Sequence, residues 1–283
     1  MRERFSYPVL VLTIAGLTVA AVPAARSAPQ HTGEDKPQAT SQAVTPESTE
    51  EKAAQAMPNT RVAGDLDITV EQRGFSYFAG NASITTPLPE GYPAPTPPGA
   101  IDIKHYPSVR RAQVTVAGSV DPDLAQNASF WPLFRHIQAN GIAMTAPVEM
   151  EYNGLSTDGK GDLSEWTMAF LYRTPDLHPT GNDEENDSVL IIDTEPVTVL
   201  SAGFLGDYSL LRVRAELFRL HKWLEANPQW KSAGEPRSFG YNDPGIPRNR
   251  RWGEVQLPIR RVVPSEPAAS PSPESPVVTE PGA

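Results

Sequence analysis

The groups in this chain able to do chemistry are histidines, closely spaced carboxylates and arginines, because its 283 residues include no cysteine. That excludes a thiol nucleophile, a disulfide framework and every Cys-ligated metal site. The histidines are His31, His105, His136, His178 and His221. His31 and His178 fall in polar stretches and read as solvated, and His136 lies off the apolar face of a predicted helix and reads as a surface residue. His105 stands between Lys104 and Tyr106 on a predicted strand. Glu149 and Glu151, two apart on a strand, share one face. Such a pair suits acid–base hydrolysis, but two strand carboxylates are more often simply solvated. The run Asp183-Glu184-Glu185-Asn186-Asp187 lacks the glycine and terminal Glu of a calcium loop and reads as a polar turn. G-x-S-x-G, H-E-x-x-H, P-loop and G-x-G-x-x-G patterns are all absent. With 24 Lys and Arg against 34 Asp and Glu, the net charge is −10, which argues against a broad nucleic-acid footprint.

The elements that must position these groups occupy only part of the chain. Arg2 and Arg4 precede an uncharged stretch from Val9 to Ala21, followed by the small residues Ala24, Ala25, Ser27 and Ala28, the order of an export signal. Residues 1–28 are therefore read as a signal peptide, and the protein as exported to a periplasmic or extracellular location. The run is short for a spanning helix, so cleavage is favoured over an uncleaved anchor and no membrane span is expected afterwards. Residues 29–60 are poor in aromatic and branched apolar side chains and read as a disordered linker, and residues 264–283 as a Pro-rich disordered tail. One domain, 61–263, remains.

Within it, Thr85–Gly99 is a proline-rich loop that excludes strands. Asp67–Gln72 and Phe75–Phe78 read as a short hairpin. Alternation or apolar runs predict strands at 101–103, 109–116, 142–151, 166–172, 189–193, 197–201 and 254–262. Two helices interrupt them. Ser129 is read as the N-cap of the first, with Pro132 in its opening turn, Phe130, Leu133, Phe134 and Ile137 on one face, and Asn140-Gly141 as its end. The second runs from an Asp207 cap to Pro228, with Arg214 and His221 central in its apolar arc. Buried, they need partners; the arc then borders a polar groove, or both reach to its edge. The order of elements indicates an α+β fold.

Three segments carry a family resemblance: Ile103-Lys104-His105-Tyr106-Pro107, Ile142-Ala143-Met144-Thr145-Ala146-Pro147-Val148 after the helix 134–138, and Phe239-Gly240-Tyr241-Asn242 leading to Arg251 and Glu254-Val255. They resemble the SOUL haem-binding family over about residues 101–260. The resemblance implies a twisted, antiparallel, eight-stranded barrel-like sheet with two helices, built from two βαββ halves, and non-covalent binding of haem or a related porphyrin in a shallow apolar groove. Two departures stand out. The linker after the first helix is cut to Ala139-Asn140-Gly141, which narrows the groove, and the loop 243–248 carries no Lys, leaving Arg248 or Arg250 to meet a propionate. Residues 61–100 have no evident family counterpart.

A haem site needs an apolar slot, cations for two propionates and, optionally, an axial base. Phe130, Phe134 and Ile137 are expected to form the slot, and Arg135, Arg248 and Arg250 to pair with propionates, for which the planar guanidinium suits bidentate contact. His105 matches the position at which one branch of the family is thought to ligate iron, making it the candidate metal ligand. The functional expectation is an exported tetrapyrrole-binding protein without enzymatic activity. The alternative is a general small-ligand binder or weak hydrolase on a gyrase-inhibitor-like scaffold.

Overall fold

In the segment Ala100–Tyr106, Ile101 and Ile103 meet one apolar cluster while Asp102, Lys104 and Tyr106 point to the opposite side, yet nearly every residue is buried. A strand buried on both faces must lie inside a layered structure. The computed structural model describes residues 59–262, and the layers are two helices, a large antiparallel sheet and an N-terminal cover.

The elements in chain order are β1 (Thr60–Gly64), β2 (Glu71–Arg73), β3 (Ser76–Ala79), β4 (Ala82–Ile84), β5 (Ala100–Tyr106), β6 (Arg110–Ala117), α1 (Pro122–Ala139), β7 (Val148–Asn153) and β8 (Glu165–Leu171). They continue as β9 (Gly181–Asn182), β10 (Leu190–Asp193), β11 (Val197–Leu205), α2 (Leu210–Ala226), β12 (Trp230–Ser232), β13 (Arg237–Gly240) and β14 (Trp252–Arg261). The sheet runs β1-β5-β11-β14-β13-β7-β8-β6-β10-β9, with β12 beside β14. Two βαββ units, β6-α1-β7-β8 and β11-α2-β13-β14, meet where β7 pairs with β13. The strand before each unit crosses to the other: β5 pairs with β11 and β10 with β6. Eight strands thus form the two-fold core, but β1, β9 and β12 raise the total to eleven and the ends do not meet. The expected eight-stranded barrel is replaced by an open sheet.

Both helices pack on one face through Leu133 and Ile137 of α1 and Val213, Leu217 and Leu220 of α2. The other face carries Tyr106, Val199, Phe239, Tyr241 and Trp252, and is covered by the meander β2-β3-β4 and the proline-rich loop. That loop is held by backbone and side-chain bonds: Ala146 N donates to Pro87 O, Glu90 N to Arg173 O, and Trp252 Nε1 to Thr96 O. Gly203 makes the fit possible, since a Cβ there would lie 2.3 Å from both Thr96 O and Pro97 O.

Several sequence expectations shift. Helix α1 begins at Pro122, not near Ser129: Asp121 is the N-cap and accepts from Asp123 N, Pro122 fills the first position, and the helix runs through Pro132. Asp-Pro-Asp is itself a start signal, and buried Ser129 sits in mid-helix. Helix α2 is capped by Ser209, two residues past Asp207. The strand expected over 142–151 begins at Val148, because Pro147 has no N–H for the ladder. The predicted hairpin is a three-strand meander with turns at Gly74 and Gly80, both at positive φ. The signal peptide, the tail and nearly all of the linker fall outside the described residues. Among the described residues, no helix is long and apolar enough to cross a membrane.

Candidate functional site

Alternation on β7 sends Val148, Met150 and Tyr152 to the helix side and Glu149 and Glu151 to the covered side. The helix-side residues floor a cavity of about 350 Å³ beside the junction of the two units. Its walls come from α1 (Pro122, Asp123, Gln126, Phe130, Phe134), the segment Met144–Ala146, Met168, Tyr208, Ser238, and the run Gly240–Pro244. Phe130 and Phe134 stack with centroids 5.7 Å apart. Gly240 lets the Tyr208 ring pack close: a Cβ there would lie 3.0 Å from it.

The polar atoms of the wall are mostly committed to the protein. Tyr208 Oη donates to Trp252 O at 2.9 Å and accepts from Asn242 N, and burial pushes its pKa up to about 12. Tyr152 Oη and Ser238 Oγ are 2.9 Å apart, Thr145 Oγ1 donates to Leu171 O, and Tyr241 Oη donates to Glu254. Asp123 accepts from Leu210 N with both oxygens, at 3.0 and 3.2 Å, tying the first turns of α1 and α2 together at the cavity. Burial raises the Asp123 pKa above its ordinary value, a backbone bond from Leu210 opposing it.

The residues expected to hold haem divide. Phe130 and Phe134 line the cavity. Ile137 points into the core beneath α1 instead. Arg135, Arg248 and Arg250 are exposed, and none is in the cavity wall. His105 is half-buried on β5, on the same side as Ile101 and Ile103, with Nδ1 2.8 Å from Thr198 Oγ1; it too lies outside the wall. Of the wall residues that sequence reasoning missed, Met150 and Tyr152 left a signal in the alternation with Glu149 and Glu151, whereas Tyr208, in the loop before α2, left none.

Glu149 and Glu151 do share a face, as predicted, but they are not free carboxylates. Arg111 bridges them, Nη1 to Glu149 at 2.8 Å and Nη2 to Glu151 at 3.1 Å, and Arg237 adds a second contact to Glu149 at 3.3 Å. Arg214 and His221 sit at the margin of α2: Arg214 donates to Gly159 O and Gly161 O, and His221 meets Thr157 and Glu225. The buried charge of α2 is Glu216, paired with Arg212 and Arg219. His136 is buried rather than on the surface, with Nε2 2.6 Å from Tyr172 Oη and Nδ1 3.1 Å from Asp183. The face of α1 that carries it packs on the end of β8, and half-buried His178 lies edge-on to its ring. Asp183, expected in a polar turn, is correspondingly buried. Among the described residues no cluster of His, Asp and Glu has the arrangement of a metal site.

The SOUL heme-binding protein model matches residues 94–258. No curated protein matches the chain. Among solved structures, the C-terminal domain of EcmrR is similar at 15% identity and a TM-score of 0.46, covering 57% of this chain and 98% of that one. A hydrolase from Listeria innocua is similar at 15% identity and a TM-score of 0.42, covering 59% and 94%. An integron cassette protein from Vibrio cholerae is similar at 13% identity and a TM-score of 0.33, covering 56% and 95%. The meander β2-β3-β4 and the start of the proline-rich loop precede the family match.

Proposed function

Since the chain belongs to the SOUL heme-binding family, we propose that it binds a tetrapyrrole, with one edge of the macrocycle entering the cavity over Phe130 and Phe134. The observation that carries this reading is the cavity itself, aromatic and methionine-rich, at the junction of the two βαββ units. Its volume of about 350 Å³ is near the lower end of the ~300–1,000 Å³ usual for ligand pockets. A macrocycle held there keeps one edge outside. The propionates then point to solvent, toward exposed cations such as Arg135, Arg248 and Arg250, and no propionate enters the wall. The protein acts as a binder and not as an enzyme, in keeping with Glu149 and Glu151 being paired with Arg111 and Arg237 on the opposite face.

We further place this binding after export, on the order of Arg2, Arg4, the apolar run Val9–Ala21 and the small residues that follow. Titration of the purified protein with hemin tests the binding reading. A saturable Soret band with one equivalent is expected, and a spectrum identical to free hemin would overturn it.

A further inference from the structure

We propose that the cavity selects lipophilic organic cations over anions of the same shape. Only two of its wall residues have acidic side chains, Asp123 and Asp243, and Lys, Arg and His are absent from the wall among the described residues. Most of the donors that would receive an anion are already used, Thr86 and Gln126 excepted. Tyr208 gives its proton to Trp252 O, Thr145 to Leu171 O and Tyr241 to Glu254, while Leu210 N, at the start of α2, is taken by Asp123. The charge of Arg251 reaches Tyr208, but its guanidinium is tied to Ile246 O and Pro244 O. A cation finds the opposite: stacked π faces at Phe130 and Phe134, polarizable thioethers, and two carboxylates. Both carboxylates are exposed, so the bias acts at the cavity mouth and weakens as salt rises.

The inference goes beyond the tetrapyrrole reading, because its ligands need no macrocycle and no propionate. Tetraphenylarsonium and tetraphenylborate, nearly equal in size and opposite in charge, test it by calorimetric titration of the full chain. The arsonium is expected to bind at least ~10-fold more tightly, about 1.4 kcal/mol, and Phe134→Ala to weaken it. Asp243→Asn, which keeps the acceptor for Gly245 N, is expected to narrow the difference, and Asp123→Asn repeats that test at the helix junction. Equal affinities, a preference for the borate, binding of neither ion, or an unchanged affinity in Phe134→Ala overturns the inference. A parallel hemin titration separates the two readings. A Soret band without arsonium binding sinks only the cation site, and arsonium binding without a Soret band sinks only the tetrapyrrole reading.

Discussion

Lys104 Nζ lies 2.9 and 3.0 Å from the two carboxylate oxygens of Glu254, and both side chains are fully buried between the sheet and the N-terminal cover. Glu254 also accepts from Thr96 N at 2.6 Å, Ser201 Oγ at 2.7 Å, Tyr241 Oη at 2.8 Å and Gln256 Nε2 at 2.7 Å. One carboxylate thus joins β5, β11, β14, the segment just after β13 and the proline-rich loop.

Glu254→Gln leaves the Lys104 ammonium buried without its counter-charge, and is expected to cost about 3–5 kcal/mol of stability. Urea denaturation reads the loss. In the double variant Lys104→Met/Glu254→Gln the loss is expected to fall well short of the sum of the two single changes. Additive losses would show that the pair is not energetically coupled.

Burial alone would raise the Glu254 pKa, but Lys104 and the ring of donors outweigh it and hold the carboxyl below its ordinary value. Because the folded pKa is depressed, this contribution is present above the unfolded value of about 4.3 and is lost as pH falls through the folded pKa. Thermal stability measured from pH 6 downward is therefore expected to drop below about pH 4.3, and to drop less steeply in Glu254→Gln. Identical acid profiles for the two proteins would remove Glu254 from the account.

The cover is docked too tightly to accept a methyl group on β11. Gly203→Ala places a Cβ against the Thr96 and Pro97 carbonyls, and is expected to cost about 1–3 kcal/mol, seen as a lower Tm. An unchanged Tm would show that the loop 85–99 yields freely.

If the tetrapyrrole occupies the cavity, Phe134→Ala is expected to weaken hemin binding by about tenfold, about 1.4 kcal/mol, while His105→Ala leaves the Soret maximum in place because His105 is not in the wall. A Soret shift in His105→Ala would put the macrocycle against β5 and make His105 the axial ligand.

Export makes a prediction at the other end of the chain. Mass spectrometry of the mature protein is expected to find its first residue between about 24 and 30. An intact Met1 in the membrane fraction would turn the N-terminal segment into an anchor.

Local chemistry determined much of this molecule. The two helices, the proline loop that excludes strands and the placing of Glu149 and Glu151 on one face were legible because each depends on residue type and on periods of 2 or 3.6, while the segments at 103–107, 142–148 and 239–242 were legible through their resemblance to the SOUL family. Tertiary structure decided what those elements meet. Sequence periodicity marked Arg214 and His221 as central on α2, yet Val213, Glu216, Leu217 and Leu220 are what it buries. It put His136 on the surface, where Tyr172 and Asp183 in fact enclose it. It grouped Ile137, Arg135 and His105 with Phe130 and Phe134, but only the two phenylalanines reach the cavity. The sheet stays open because β1 and β9 occupy its edges, and the meander β2-β3-β4 covers a face that would otherwise expose Tyr106, Phe239 and Trp252. Burial, partners and cavity walls depend on strands far apart in the chain, so no local pattern encodes them.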